Sequence, residues 1–470
     1  MVMRLAYFSP LNPIPSGISD YGEDLLPYLG AYADVDVFID EGYKPANPDV
    51  GAHLGLYSYR RYPAMVRRPG YDTTIYHVGN SPAHDYILST MERHPGVVVL
   101  HDYVLHHLVL WRAFRHGDGT AYHDAMVRYG EAAWKLALRM MRGQMSEEVF
   151  CYPLCEEVVA RASALIAHSE YVAERVRRLR PELPVAVVPM GVPLPVLPER
   201  ELARQRLGLP AAALVLSSFG HVNPYKRLEP ALRAFRRLRE SHPEALFVLV
   251  GSLSPHFDLA GLIRRLGLQD AVRVTGYVET GVFAGYLAAS DICINLRYPT
   301  AGETSASLLR ILGAGLPTLV SATGAFAELP PEAAIQVSVG QEEEDELAAF
   351  LGYLADEPPA RRTLGENARR YVQTGHTMEA AAAGYVGFLA QLAGQEAPEP
   401  RRPALFVPQT GRPAPLPETP PALPPLEARP ALPVEIVAQA LANLGLTEDD
   451  RASLAAIAET IAGLPELLDD

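Results

Sequence analysis

Short runs of β-branched and apolar residues recur along the chain, separated by amphipathic stretches of helical period. That alternation confines it to parallel sheets covered by helices on both faces. One series of runs falls at 5–9, 35–39, 74–78, 97–101, 164–168 and 185–189, and a second at 215–219, 246–250, 272–275, 292–296, 318–321 and 335–339. Between them residues 193–209 are proline-rich and charged and read as a hinge. At 470 residues the chain exceeds one ordinary core, at about 150 residues per domain. The expected fold is α/β, with two Rossmann-like lobes facing a central cleft, 1–192 and 193–376.

The remaining segments are appendages to that frame. Residues 122–150 place Trp134, Leu138, Met141 and Met145 at helical spacing, with Lys135, Arg139 and Arg142 interleaved. They predict a helical insertion, about 120–150, packing on its own lobe; an acceptor-side or membrane-surface helix is the alternative. Thr377 is the expected N-cap of a helix that packs back toward the first lobe, in a segment 377–395. Thirteen prolines in 398–433 predict an extended, semi-rigid linker over 396–433. Residues 434–470 then read as a helical hairpin, one helix aligning Val437, Leu441 and Leu444, the other, capped by Thr447, aligning Leu454, Ile457 and Ile461. So small a hairpin is expected to dock on the body or on a second subunit.

Composition removes several classes of function. Apolar residues at 49% and charged residues at 20% are those of a globular chain, and no run approaches the roughly 20 apolar residues of a membrane span. The first ten residues lack the zones of a signal peptide, so a cytoplasmic location is expected, with peripheral contact at the inner membrane face as a variant. A net charge of −14 argues against a nucleic-acid partner. Cys151, Cys155 and Cys293 lack the paired spacing of a metal site. Asp34-Val-Asp36 has the letters of a metal-holding acidic pair but lies inside an alternating strand.

The chemistry concentrates at strand ends. After the run 292–296, Gly302-Glu303-Thr304-Ser305 opens a helix, where free N–H groups and the helix dipole suit a diphosphate. Phe219-Gly-His-Val-Asn-Pro-Tyr-Lys-Arg ends the first strand of the second series; Gly220 permits close backbone approach, and Lys226 and Arg227 are placed to reach a phosphate. In the first lobe Pro15-Ser-Gly-Ile-Ser-Asp-Tyr follows the first strand, and Val99-Leu-His-Asp and His77-Val-Gly-Asn-Ser end neighbouring ones, with His84 close behind. Three histidines at adjacent strand ends point to a cleft.

With these segments the chain resembles glycosyltransferase family 4 of the GT-B fold over about residues 3–395. Gly220 to Lys226 is similar to that family's phosphate loop, and Gly302 to Pro317 to its two-glutamate motif. The first glutamate aligns at Gly302 with Glu303 beside it, the second at Arg310, and His221 stands where arginine is frequent. The resemblance implies an acceptor-side first lobe and a nucleotide-sugar-binding second lobe. It implies donor contacts at Gly17, Gly220, His221, Lys226, Arg227, Tyr277, Val278, Gly302, Glu303, Thr304, Ser305 and Arg310. His101, Asp102, Lys226 and Glu303 become the catalytic candidates, and Ser16, His77, Asn80 and His84 the acceptor or cleft candidates.

The implied reaction is transfer of a sugar, a hexose in the leading reading, from a nucleotide diphosphate donor to an acceptor hydroxyl with retention. Neither cofactor nor metal is expected, because Lys226 and the N–H groups at 302–305 would stabilise the departing diphosphate. The implied partners are a nucleotide sugar and a glycan, lipid-linked or protein acceptor, with a homo-oligomer through the tail. Two alternatives stay open: a nucleotide-sugar epimerase on the same frame, which would turn over donor without acceptor, and a non-catalytic scaffold, which would bind donor without transfer.

Overall fold

The computed structural model describes residues 3–67, 70–144, 146–254, 257–408, 415–421 and 423–424. The expected hairpin at 434–470, Met145, and the linker residues at 409–414, 422 and 425–433 lie outside them. The strands are β1 (Arg4–Phe8), β2 (Asp34–Ile39), β3 (Gly55–Ser58), β4 (Thr73–Val78), β5 (Val97–Leu100), β6 (Ala164–Ala167), β7 (Val185–Val187), β8 (Val215–Phe219), β9 (Leu246–Val250), β10 (Val272–Val274), β11 (Ile292–Asn295), β12 (Thr318–Ser321) and β13 (Ile335–Val337). They form two parallel sheets, ordered β3-β2-β1-β4-β5-β6-β7 and β10-β9-β8-β11-β12-β13. Both sheets are covered on both faces, which is why their strands read as continuous apolar runs. β3 escaped the sequence reading because this half-buried edge strand, Gly-Leu-Tyr-Ser, has neither a long apolar run nor clean alternation.

Strand order reverses between β1 and β4 in the first sheet and between β8 and β11 in the second. The carboxyl ends of strands at such switch points are where open α/β sheets bind ligands. Residues 193–209 are less of a free hinge than their composition predicts. They contain the helix Arg200–Arg206, and buried Arg204 ties it to the second lobe through the carbonyls of Ala289, Ala211 and Ala213 and through Asp291 at 2.7 Å. The crossing between lobes narrows to Gly191 and Val192, whose N–H donates to His376 O at 2.9 Å on the returning chain. Thr377 caps the helix Met378–Leu392, which packs on the helix Gly17–Tyr32 with the Tyr21 and Tyr385 hydroxyls 3.2 Å apart.

Two appendages differ from expectation. The insertion is broken: helices Gly119–Val127 and Glu131–Met141 meet at Gly130, where φ is +97° and a side chain would strain the turn. Its buried face is Ala133, Leu136, Ala137 and Met140, one position off the expected Trp134 stripe, because the two alanines let the helices approach closely. The described residues of the proline-rich segment, 396–408, 415–421 and 423–424, form no helix or strand, and they are docked. Arg401 N–H donates to Ala31 O, Leu405 N–H to Pro27 O, and Phe406 is buried against the first lobe. Further on, Leu416 packs into the second lobe and Glu418 O accepts from Arg206.

Candidate functional site

The second lobe supplies a cationic floor. At the end of β8, Gly220 adopts φ +93°, and Gly251 beside it could not carry a Cβ, which would lie 2.2 Å from Gly220 O. Lys226 turns back under this floor and donates to Phe219 O; it is 4% exposed. Burial first, then Arg297, pushes its ammonium down to about 7. Arg227 does not join it. In left-handed conformation at φ +52°, it pairs with buried Glu343, so the expectation that it reaches a phosphate is corrected to a clamp within the lobe.

After β11 the loop folds on itself around Glu303. That carboxylate accepts from Thr300 Oγ1 and Ala301 N, both at 2.8 Å, and pairs with Arg297 at 3.1 Å. Glu303 therefore holds Arg297 in place. Ser305 then caps the helix Ala306–Gly313 by accepting from Leu308 N at 3.2 Å, leaving Ala306 and Ser307 N–H at the positive end of the helix dipole. His221 is exposed and bonds Ser252 at 2.9 Å. Tyr277, 83% exposed, and Val278 follow β10 along the same row of strand ends. Arg310 faces the other lobe, with Nη2 3.1 Å from Asp24.

The first lobe brings its candidates together below the surface. Ser16 caps the helix Gly17–Tyr32 through Ile18 N at 3.1 Å. His77 Nδ1 and His101 Nε2 share a hydrogen bond of 2.8 Å, and His84 Nδ1 donates to His77 O at 2.9 Å. Burial, and then repulsion from neighbouring histidines, holds His77 and His101 well below the usual imidazole range, and burial lowers His84 to about 4. His77 Nε2, His84 Nε2 and His101 Nδ1 have no protein partner. Asp102 accepts from Asn80 N at 2.7 Å, and burial together with Glu303 raises its carboxyl to about 7.

The two halves touch directly. Tyr103 and Val104 N–H donate to Ala301 O at 2.7 and 2.9 Å, and a Cβ at Gly302 would lie 2.8 Å from Tyr103 Cβ. Only glycine serves at Gly302, where φ is +83°. Glu328 accepts from Glu170 N at 3.0 Å and from Tyr171 N, so the second lobe caps a helix of the first. Phe150, at the end of the insertion, meets Tyr225 with ring centroids 5.0 Å apart, carrying the insertion beyond its own lobe onto the phosphate-loop candidate.

The sequence reading missed Arg297, Asn295, His168 and Glu328. Arg297 follows β11 within the motif itself, so a cation at a strand end was the available signal. Asn295, buried with neither amide atom partnered, and His168, its ring centroid 5.0 Å from that of His101, gave none, since buried polar residues look like any strand-end residue.

Two facing parallel sheets with their switch points turned to one cleft define the GT-B architecture. Residues 199–371, most of the second lobe, match the family Glycosyl transferases group 1. The D-inositol 3-phosphate glycosyltransferase of Kribbella flavida is 29% identical over 233 residues, 46% of this chain and 54% of that one. The MMP alpha-(1->4)-mannosyltransferase of Mycolicibacterium hassiacum is 32% identical over 187 residues, 39% and 43% of the two chains. The chain thus spans about half the length of the curated relatives it matches. Its fold matches sucrose-phosphate synthase of Thermosynechococcus elongatus, with a TM-score of 0.61 at 19% identity, covering 83% of this chain and 99% of that one. It also matches Anabaena HepE in complex with UDP and glucose, with a TM-score of 0.56 at 18% identity, covering 83% and 98%.

Proposed function

We propose that the protein transfers a sugar from a nucleoside diphosphate donor to an acceptor hydroxyl, with retention and without a metal ion. One observation carries this reading: buried Lys226, Arg297 and the N-terminus of the helix Ala306–Gly313 converge at the switch point of the lobe that matches the glycosyltransferase family. Together they offer preorganised positive charge to a diphosphate. A retaining course, in which the acceptor attacks on the face the diphosphate leaves, asks the protein to stabilise that leaving group rather than to provide a nucleophile.

The placement of Asp34-Val-Asp36 supports a metal-free course. Asp34 and Asp36 lie in β2, Asp34 at its amino end, where it pairs with Arg401 at 3.2 Å, and Asp36 midway along the strand, where it accepts from Tyr71 at 2.8 Å. A relative named as a mannosyltransferase and a fold neighbour holding UDP and glucose support a nucleotide hexose as donor. The acceptor would enter from the first lobe, beside Asp102, Asn80 and His84. Among the described residues no helix is long and apolar enough to cross a membrane, and peripheral contact belongs to the proposal.

Transfer and calorimetry, both run in EDTA, test it. Lys226→Ala is expected to lower turnover by roughly 10²–10³, about 2.7–4 kcal/mol, as for loss of one oxyanion-type donor. It should also weaken binding of the nucleoside diphosphate product, whereas His101→Ala, in the other lobe, should lower transfer and leave that affinity near normal. Unchanged product affinity in Lys226→Ala overturns the donor assignment. Loss of transfer in EDTA that manganese or magnesium restores overturns the metal-free course.

A further inference from the structure

The helices Gly17–Tyr32 and Ala306–Gly313 belong to different lobes, and both begin at the cleft. Arg310 stands on the second turn of one. Asp20 and Asp24, four residues apart, share a face of the other. Arg310 Nη2 lies 3.1 Å from Asp24 Oδ2, and Nη1 lies 3.9 Å from Asp20 Oδ2. Asp24 is 1% exposed as a residue, so its partners act with little solvent screening, and Arg310 Nε is buried without a protein partner. At 1.5 Å of rise per residue, these contacts sit about 5–10 Å behind both helix starts.

We propose that Arg310 is a positioning residue: by pairing with Asp24 and Asp20 it clasps the two helices so that both positive ends face one anion in the cleft. The clasp acts twice. It adds a polar tie between these two helices to the apolar contacts that Leu308, Leu309 and Leu312 make with the first lobe, and it neutralises acidic side chains that would otherwise oppose an anionic ligand near the helix starts. Glu23 on the same helix is engaged elsewhere, accepting from Asn12 N at 2.7 Å, and burial raises its carboxyl to about 7. The first consequence is independent of ligand; the second rests on the diphosphate reading above.

Two measurements separate the consequences. Small-angle scattering of the ligand-free protein reads the clasp: Arg310→Ala and Asp24→Asn are expected to enlarge the radius of gyration, and the exchanged pair, Asp24→Arg with Arg310→Asp, to bring it back. Equal radii in all four proteins overturn the clasp. Calorimetry with UDP and GDP reads the positioning: Arg310→Ala is expected to weaken the diphosphate that the unaltered protein binds by about tenfold, within the usual range of couplings between sites, and the exchanged pair to recover most of it. If Arg310→Ala binds that diphosphate normally although its radius has grown, the positioning role falls. A protein that binds neither diphosphate refutes the donor reading, with the clasp still decided by scattering.

Discussion

Burial leaves Lys226 poised near the loss of its charge, so the proposed contact with the donor diphosphate would make donor binding a protonation event. With its ammonium pushed down to about 7 by burial and by Arg297, the neutral amine comes within reach at neutral pH. A diphosphate favours the charged form, so binding takes up a proton. Asp102, raised to about 7 by burial and Glu303, is driven the same way by a second anion nearby. Diphosphate affinity is therefore expected to fall as pH rises from 6.5 to 8.5. Calorimetry at pH 7.5 in two buffers of different ionisation enthalpy should show proton uptake, reduced in Lys226→Ala; affinity that is flat with pH would contradict the assignment. The sign for stability differs between the two groups. Between 7 and 10.5 the unfolded lysine binds more protons than the folded one, so its burial costs less as pH rises. Asp102 stabilises most at low pH, and that contribution is lost as pH rises through 7. Lys226 was legible in the sequence because a cation follows a strand-end glycine. Arg227, its neighbour, was not, because its direction is set by a left-handed backbone and by Glu343, 116 residues away.

The strands were the most legible elements, since a parallel sheet buried on both sides writes itself as apolar runs; the docked proline-rich segment was the least. Composition predicts neither helix nor strand there, and the segment's described residues form none, yet composition says nothing of what an extended chain lies against. The segment is fastened by backbone groups, Arg401 and Leu405 N–H on one lobe and Glu418 O on the other, and by Leu416 set against Gly285 and Leu207. Pro420 lies against Gly208 and Pro424 against Gly276, next to exposed Tyr277 at the end of β10. A simple linker would make a chain ending near residue 395 equivalent to the whole at the donor site. Docking beside Tyr277 predicts otherwise: a chain ending at 408 should bind the nucleoside diphosphate several-fold more weakly than one ending at 424, because the loop at Gly276 loses the segment that holds it. Calorimetry well below the unfolding temperature of both chains makes the comparison, and equal affinities would return the segment to a purely structural role.

At the scale of the molecule, the two lobes are less separable than two sheets suggest. Leu308, Leu309, Leu312 and Val372, from the second lobe and the helix Pro358–Gly375, belong to the same buried cluster as Leu5, Leu25 and Val37 of the first lobe and Tyr385 of the helix Met378–Leu392. Lobes joined by small polar interfaces unfold and move independently, but a shared apolar core couples them. The polar contacts act in the same sense: Ala301 O with Tyr103 and Val104, Glu328 at the start of the helix Glu170–Leu179, and Arg310 with Asp24 all cross the junction. Separating the lobes would expose large side chains and strip the buried Asp24 of a cation, so partial unfolding is costly on both counts. Scanning calorimetry of the ligand-free protein is therefore expected to show one cooperative transition whose calorimetric and van't Hoff enthalpies agree. The variant Leu309→Ala, which removes a side chain from the shared core, should lower that single transition by the roughly 2–5 kcal/mol typical of buried leucine truncations. Two resolved transitions, with Leu309→Ala moving only one of them, would show that each lobe keeps a core of its own.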